Sequence, residues 1–159
     1  MAAAPLPRNG PVREAFLIDH ILFNVCDVER STAFYAAALA PLGYKVVKAY
    51  EGCAGFGAGP RADFWIFRRE PLTAGAHIAF YCGTRALVDA FHAAGIAAGG
   101  RDNGAPALRP SYHPDYYGAF ILDPDGNNLE AVCHEPALTA PSRPERTQPA
   151  PARPRAARR

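Results

Sequence analysis

The sequence has no apolar run that approaches the roughly 20 residues of a membrane helix, so we expect no membrane partner. Residues 1–15 lack the apolar stretch behind a basic start that marks a secretion signal. Cysteine is scarce as well, and the four thiols are spread along the chain without a Cys-x-x-Cys pair, which excludes a dense disulfide scaffold. These absences predict a cytoplasmic protein whose thiols are reduced and largely buried.

Positive charge is scarce in the part of the chain that can form a core. The net charge is +2 over 159 residues, but residues 17–134 hold nine Lys and Arg against twelve Asp and Glu. Residues 136–159 consist mainly of Pro, Ala and Arg and are predicted to be a disordered tail, as are residues 1–16 at the other end. A nucleic-acid partner is not expected, because the tail has no aromatic residues for base stacking. Weak contact of its arginines with nucleic acid or anionic lipid is the alternative.

The two halves of the chain repeat each other. A shift of 57 residues superimposes His20-Ile21-x-Phe23 on His77-Ile78-x-Phe80, and Gly43 falls on Gly100 in the same register. The helical pattern Ala-Phe-x-Ala-Ala also recurs in that register. One ungapped register that spans a strand, a helix and a glycine stop indicates a duplicated half-domain.

Each half is predicted to begin with a strand and a helix. Asp27 and Thr84 are the predicted helix caps, and Gly43 and Gly95 the predicted stops. Alternating apolar runs bounded by turn residues predict the strands: 17–25, 44–49, 53–58 and 63–68 in the first half, and 76–82, 96–99, 116–122 and 127–134 in the second. A long polar loop is expected before 116. The fold class is therefore α+β, one domain at 17–135 with tandem βαβββ modules at about 17–70 and 76–135.

Three residues predict a metal site. His20 and His77 hold the same position in the two halves, so a pseudo-twofold arrangement brings them to equivalent places. Glu130 lies among apolar neighbours in the last predicted strand, where a carboxylate requires a partner or a cation. Two histidines and one carboxylate form a facial set for Fe(II), and they also serve Mn, Zn or Ni. Each residue alone is also compatible with an ordinary polar group of a strand.

Strand parity extends this set to neighbouring side chains, because alternate residues face one side of a sheet. Asn24 shares a face with His20, Tyr81 with His77, and Asn128 with Glu130. The fourth strand of the first half aligns with the last strand so that Trp65 stands opposite Glu130. The first half therefore offers no equivalent acid unless Asp63, on the same strand face, provides it.

These motifs resemble the vicinal oxygen chelate superfamily, which includes glyoxalases, bleomycin-resistance proteins and extradiol dioxygenases. The resemblance rests on Asp19-His20-Ile21, on Ser31-x-x-Phe34-Tyr35 and on the stretch from Asp123 to Glu130. It implies paired βαβββ modules that form an open, curved mixed sheet around a metal cleft, commonly in a homodimer. It also implies metal ligands at the positions of His20, His77 and Glu130.

The resemblance leaves two functions open. One is a metal-dependent enzyme, dioxygenase-like or lyase-like, that chelates a small substrate through vicinal oxygens. In that enzyme the segment 103–117 forms a substrate loop in which Tyr112 or His113 moves a proton and Arg109 and Tyr116 contact the substrate. The alternative for this segment is an ordinary surface loop held in place by its tyrosines. The alternative is a metal-free protein that binds a small antibiotic-like molecule by stacking on Trp65 and Tyr81.

The residue at position 65 bears on the type of reaction. Lactoylglutathione lyases usually have a glutamate in that strand, and a tryptophan is neither an acid nor a base. Three protein ligands leave three positions open on an octahedral ion, two for vicinal oxygens and one for O2 or water. We therefore expect oxygen-dependent or addition chemistry rather than isomerisation, with Asp63 as the alternative source of an acid.

Overall fold

The structure, a computed structural model, describes residues 18–137. The segments predicted to be disordered lie outside the described residues, apart from residues 136 and 137. The first module contains β1 (Ile21–Val25), α1 (Val28–Ala38), a 3-10 turn (Ala40–Leu42), β2 (Lys45–Tyr50), β3 (Cys53–Gly57) and β4 (Phe64–Arg68). The second contains β5 (His77–Tyr81), α2 (Arg85–Ala97), β6 (Arg101–Leu108), β7 (Tyr117–Leu122) and β8 (Asn128–Cys133). The predicted tandem βαβββ order is confirmed.

Each module forms its own open, mixed sheet of four strands. The strand orders are β1-β4-β3-β2 and β5-β8-β7-β6, and the first pair of each sheet is parallel while the other pairs are antiparallel. In the parallel pairs Leu22 lies opposite Trp65, and Ala79 lies opposite Glu130. Because Leu22 and Ala79 are repeat-equivalent, Trp65 occupies the place of Glu130 in the first module.

Both helices begin at the predicted caps. The Asp27 carboxylate accepts a hydrogen bond from the Arg30 amide at 2.9 Å, and the Thr84 hydroxyl accepts one from the Leu87 amide at 3.3 Å. The predicted stop at Gly95 is wrong, because α2 continues to Ala97. A Cβ atom at Gly95 would lie 2.2 Å from Cδ1 of Ile121, so this glycine permits close packing of α2 on β7.

The strand predicted at 96–99 is also wrong, and the long polar loop is shorter than expected. Residues up to 97 belong to α2, and the strand is β6, which extends to Leu108. Its sequence, RDNGAPAL, has no apolar alternation because β6 is an edge strand with mostly exposed residues. Its pairing with β7, across two register breaks, defines it as a strand. Such pairing between distant residues produces no alternating pattern in the sequence of β6 itself.

One hydrophobic core joins the two modules. The inward residues of β1, β4, β5 and β8 and the inward faces of both helices belong to a single buried cluster. Cys82 and Cys133 lie in it, whereas Cys53 is half-buried and Cys26 exposed, so the thiols are less uniformly buried than expected. Within residues 18–137 no helix is long and apolar enough to cross a membrane.

A buried aspartate links the helix of the first module to the last turn of the second. Asp123 is 4% exposed and accepts a hydrogen bond from the Tyr35 hydroxyl at 2.5 Å. It also accepts from the backbone amides of Asp125 at 2.9 Å and Asn127 at 2.7 Å. The turn that leads into β8 is therefore held from both modules. Burial, followed by the Asp123 charge, raises the pKa of Tyr35, so its hydroxyl remains a donor.

Replacing Tyr35 with phenylalanine is expected to lower the free energy of unfolding by about 1.5–3 kcal/mol, the usual contribution of a hydrogen bond to a charged group. The raised pKa adds a pH signature. Tyrosine ionises near pH 10 in an unfolded chain, so the contribution of Tyr35 is complete below that pH and is lost above it. The melting temperature should therefore fall less steeply with pH above pH 10 in Tyr35→Phe than in the wild type. Tyr50→Phe, at an exposed residue, is the matched control and should change neither quantity.

Candidate functional site

Two of the three predicted metal ligands meet on the outer face of the second sheet. His77 begins β5, and Glu130 lies in β8, the parallel neighbour of β5. His77 pairs directly with Asn128, so Glu130 is two residues further along β8 on the same face. Their side chains approach with His77 Nε2 and Glu130 Oε2 3.1 Å apart. Glu130 is 2% exposed, whereas His77 is exposed, so the pair joins a buried carboxylate to an accessible imidazole.

The second oxygen of Glu130 is held by Tyr116. The Tyr116 hydroxyl donates to Glu130 Oε1 at 2.5 Å, and the neighbouring Gly118 leaves room for this bond, since a Cβ atom there would lie 3.0 Å from Oε1. Burial, with a further contribution from Glu130, raises the pKa of Tyr116 to about 12. Tyr116 is therefore a neutral hydrogen-bond donor at ordinary pH, and it orients Oε2 toward His77.

The outer nitrogen of His77 is held as well. Nδ1 lies 2.7 Å from the Asn128 amide nitrogen, and the amide of Asn103 in turn donates to Asn128 Oδ1 at 3.0 Å. The Phe120 ring stacks on the imidazole at 6.3 Å between centroids. Supporting groups of this kind fix the ring orientation of metal-binding histidines, so the His77 ring is oriented in advance.

His20 has a comparable arrangement on the outer face of the first sheet. Its Nδ1 lies 2.9 Å from an Asp19 carboxylate oxygen, and the other oxygen of Asp19 pairs with Arg61 at 2.5 Å. The hydrogen bond from His20, followed by Arg61, holds the pKa of Asp19 below its ordinary value. Because Nδ1 is engaged, Nε2 is the ring atom left for a ligand. His20 lines a cavity of about 550 Å³ together with Lys48 and Trp65.

The His77–Glu130 pair fits two neighbouring positions of one metal ion. Ligand atoms at bonds of about 2.1 Å and a right angle stand about 3 Å apart, which agrees with the 3.1 Å between Nε2 and Oε2. A third ligand does not join them within the chain: among residues 18–137 no group of three or more His, Cys, Asp and Glu side chains could hold a metal ion. His20 lies on the other sheet, so the predicted triad is divided between two faces.

The predicted neighbours of His20 have different surroundings. Trp65 lines its cavity and lies beside Phe67, with 6.1 Å between ring centroids. The side-chain amide of Asn24 donates to the Pro71 carbonyl at 2.8 Å and so holds the loop after β4, while its own Oδ1 is buried without a partner in the described chain. Asp63 adds to the raised pKa of Tyr44, about 12 and due mainly to burial, so its carboxylate is near Tyr44.

The remaining predicted residues lie around the second module. Arg109, Tyr112 and Asn128 line one cavity of about 300 Å³. Tyr112 is 68% exposed, and its ring lies 5.2 Å from that of Tyr116. His113 is exposed on the same loop, 6.1 Å from the His134 ring. Tyr81 lines a separate cavity at the start of α2.

Two residues of this site were not anticipated. The sequence predicts a loop at Asn103, and the pairing of β6 shows that its amide reaches Asn128. Phe120 pairs directly with Glu130 between β7 and β8, so parity in the predicted strand 116–122 carried a signal for it. Tyr116 shares that parity, so the predicted strand places it on the same face as Phe120, while its direct hydrogen bond to the Glu130 carboxylate depends on how β7 pairs with β8.

Comparisons with known proteins agree with this architecture. The model of the Glyoxalase/Bleomycin resistance protein/Dioxygenase superfamily matches residues 17–131. A glyoxalase/bleomycin resistance protein from Albidiferax ferrireducens is 34% identical, with a TM-score of 0.63, and the match covers 72% of this chain and 96% of that one. A lactoylglutathione lyase from Agrobacterium tumefaciens is 20% identical, with a TM-score of 0.56 and coverage of 76% and 96%; this likeness shows the fold alone. No curated protein matches the sequence.

Tyr116→Phe is expected to lower the free energy of unfolding by about 1.5–3 kcal/mol, because a buried carboxylate oxygen loses its donor. Tyr112→Phe is the matched control, since it removes the hydroxyl of an exposed tyrosine on the same loop and should change stability by less than about 0.5 kcal/mol. Urea unfolding of both variants at pH 7 measures the difference. Equal stabilities would mean that the Tyr116–Glu130 bond does not hold the carboxylate.

Proposed function

Because the chain belongs to the glyoxalase/bleomycin resistance protein/dioxygenase superfamily, we propose that it is a divalent-metal enzyme acting on a small substrate with two neighbouring oxygens. The observation that carries the proposal is the His77–Glu130 pair, 3.1 Å apart, in which a neighbouring side chain orients each ligand. Asn128 holds the imidazole and Tyr116 holds the carboxylate. Fe, Mn, Zn and Ni all accept this combination of ligands.

His20 is proposed as the third ligand, contributed by a second copy of the chain. It is the repeat-equivalent of His77, its Nδ1 is held by Asp19, and it lies in a cavity of its own sheet. In a twofold homodimer, the face of module one from one chain can meet the face of module two from the other, and symmetry makes two identical sites. The three ligands, which lie apart within one chain, would then come together in the dimer.

Metal binding constrains the tautomer of His77. The Asn128 amide nitrogen faces Nδ1, and with that amide orientation the ring proton is on Nε2, next to Glu130. A ligating Nε2 would be free of its proton, which would then be on Nδ1, and Asn128 would present its amide oxygen to it. Asn103, bonded to Asn128, would turn its amide in the same way. The two amides would thus support the imidazole in the ligating tautomer as well.

The bound metal would act as a Lewis acid that polarises the substrate oxygens. The chain's own groups do the rest. Tyr116 keeps Glu130 oriented and remains protonated, as its pKa near 12 requires. Tyr112 and His113 lie on the exposed loop before β7, and either is proposed by its chemistry to move a proton at the substrate; of the two, Tyr112 lines the cavity next to Asn128.

The type of reaction is proposed from Trp65. It occupies the register position that Glu130 has in the second module, so an isomerase-type acid or base is replaced by an indole. Asp63 does not line the cavity that contains His20 and Trp65, within the described chain. We therefore favour oxygen-dependent or addition chemistry over a proton-transfer isomerisation.

A metal-free binding protein is the second candidate. Glu130 already has a hydrogen-bond donor for each oxygen, so the carboxylate is satisfied without a cation. Trp65 and Phe67 add an aromatic wall on the other face, which suits the stacking of a planar ligand. Metal content separates the two candidates.

The metal proposal predicts that protein purified without a histidine tag contains one divalent ion per chain. His20→Ala and Glu130→Ala should each lose it, by elemental analysis and isothermal titration. In a co-expressed 1:1 mixture of the two variants, half the dimers are mixed and one of their two sites is intact, so about a quarter of the wild-type metal content should return. His92→Ala, at a half-buried histidine of α2 that is paired with Asp102, is the control.

Two outcomes would contradict this arrangement. Unchanged metal content in both single variants would exclude the ligand set. No recovery in a mixture that native mass spectrometry shows to contain mixed dimers would mean that a site is not shared between chains.

The reaction-type proposal predicts O2 uptake when the Fe(II) protein, reconstituted without air, meets catechols in air. The Ni and Zn forms should show little turnover of the methylglyoxal hemithioacetal. An oxygen electrode and an absorbance assay measure the two activities. Strong isomerase turnover without O2 uptake would reverse the preference, and silence in both assays would favour the binding protein.

A further inference from the structure

Arg109 lies near the His77–Glu130 pair, and its positive charge has no counter-ion among the described residues. It follows β6 and is half-buried. Its Nη2 donates to the Ala105 carbonyl at 3.0 Å, while Nε is buried without a hydrogen-bond partner. Within residues 18–137 no carboxylate lies at ion-pair distance from this guanidinium. Partial burial of an uncompensated charge is unfavourable, so this group is suited to an anion from outside the chain.

Other arginines show the contrast. Arg30 and Arg61 are exposed and each is paired with an aspartate. Arg85 is half-buried like Arg109, but it lies 3.5 Å from the Asp115 carboxylate. Among the described residues, Arg109 is thus the half-buried arginine that has no acid.

The backbone makes room for this guanidinium. Gly104 has a φ of 152° at a register break of β6, a conformation that side chains rarely adopt. A Cβ atom there would lie 2.9 Å from Cδ2 of Phe120 and 3.1 Å from Nη2 of Arg109. The guanidinium therefore lies over the Phe120 ring, 5.3 Å from its centroid, and its position is determined on two sides.

That position is coupled to the proposed metal ligands. The Phe120 ring under Arg109 also stacks on His77, which gives the order Arg109, Phe120, His77. Arg109 shares its cavity of about 300 Å³ with Asn103, Tyr112 and Asn128, and Asn128 is the group that holds His77. A ligand in this cavity therefore contacts Phe120 and Asn128, the two side chains that touch His77.

We propose that the substrate has a carboxylate in addition to its vicinal oxygens, and that Arg109 binds it in this cavity. The planar guanidinium suits a carboxylate, and the surrounding amides and hydroxyl add polar groups without opposing charge. The inference rests on the proposed function, since it takes the oxygens of the substrate to be at His77 and Glu130. Arg109 is thereby a specificity-determining residue.

The test compares acids with amides of the same shape. Zn-loaded protein is titrated calorimetrically, without air, with 3,4-dihydroxybenzoate and 3,4-dihydroxybenzamide, and with the 2,3-isomers of both. For at least one isomer the acid should bind about tenfold tighter than the amide or more. Arg109→Gln should bring the ratio close to one, and Arg109→Lys should keep part of it. Arg101→Gln, at the exposed arginine that begins β6, should leave it unchanged. Melting curves confirm that each variant folds.

The outcomes separate this inference from the metal proposal. If acid and amide bind equally in both isomers, if the preference survives Arg109→Gln, or if neither acid binds, the carboxylate site is overturned. The same titrations on metal-free protein test the other proposal: an Arg109-dependent preference that is identical with and without Zn supports the carboxylate site and removes the metal from ligand binding.

Discussion

The buried carboxylate of Asp123 is the interaction on which the geometry of the site depends. It accepts four hydrogen bonds, from the Tyr35 hydroxyl, the amides of Asp125 and Asn127, and the side chain of Asn127. Asn127 then accepts from the backbone amide of Ala76 at 3.1 Å. Because these bonds define where β8 and β5 begin, they determine the register that brings Glu130 next to His77.

The duplication gives the two modules the same frame and different chemistry. His20 and His77 are equivalent and each has a polar group at Nδ1. Their partner positions differ, since Trp65 replaces the acid in the first module. Gly55 lies opposite Trp65, and a Cβ atom there would come within 2.8 Å of the indole ring, whereas Phe120 occupies the corresponding place opposite Glu130. The first module thus pairs a glycine with an indole where the second pairs a phenylalanine with an acid.

Burial of Glu130 on the outer face of a sheet is unusual for a carboxylate and has a local explanation. Alternate residues of β8 should face away from the core, yet the loop before β7 covers this position through Tyr116. A desolvated carboxylate with a neutral phenol and an imidazole as partners is strongly polarising in a medium of low dielectric. The same loop begins at Arg109, so one segment supplies both the cover of the acid and the nearby positive charge.

The sequence by itself determined the duplication, the strand and helix order, the caps at Asp27 and Thr84, and the equivalence of Trp65 in the first module to Glu130 in the second. These follow from local chemistry and strand parity, which neighbouring residues carry. Only the tertiary structure decided that β6 is a strand, that Gly95 packs against Ile121, and that His20 lies apart from His77 and Glu130. It also decided the contacts of Tyr116 and Arg109. Each of these depends on pairing, loop path or close approach between residues distant in the chain, and no local periodicity encodes such contacts.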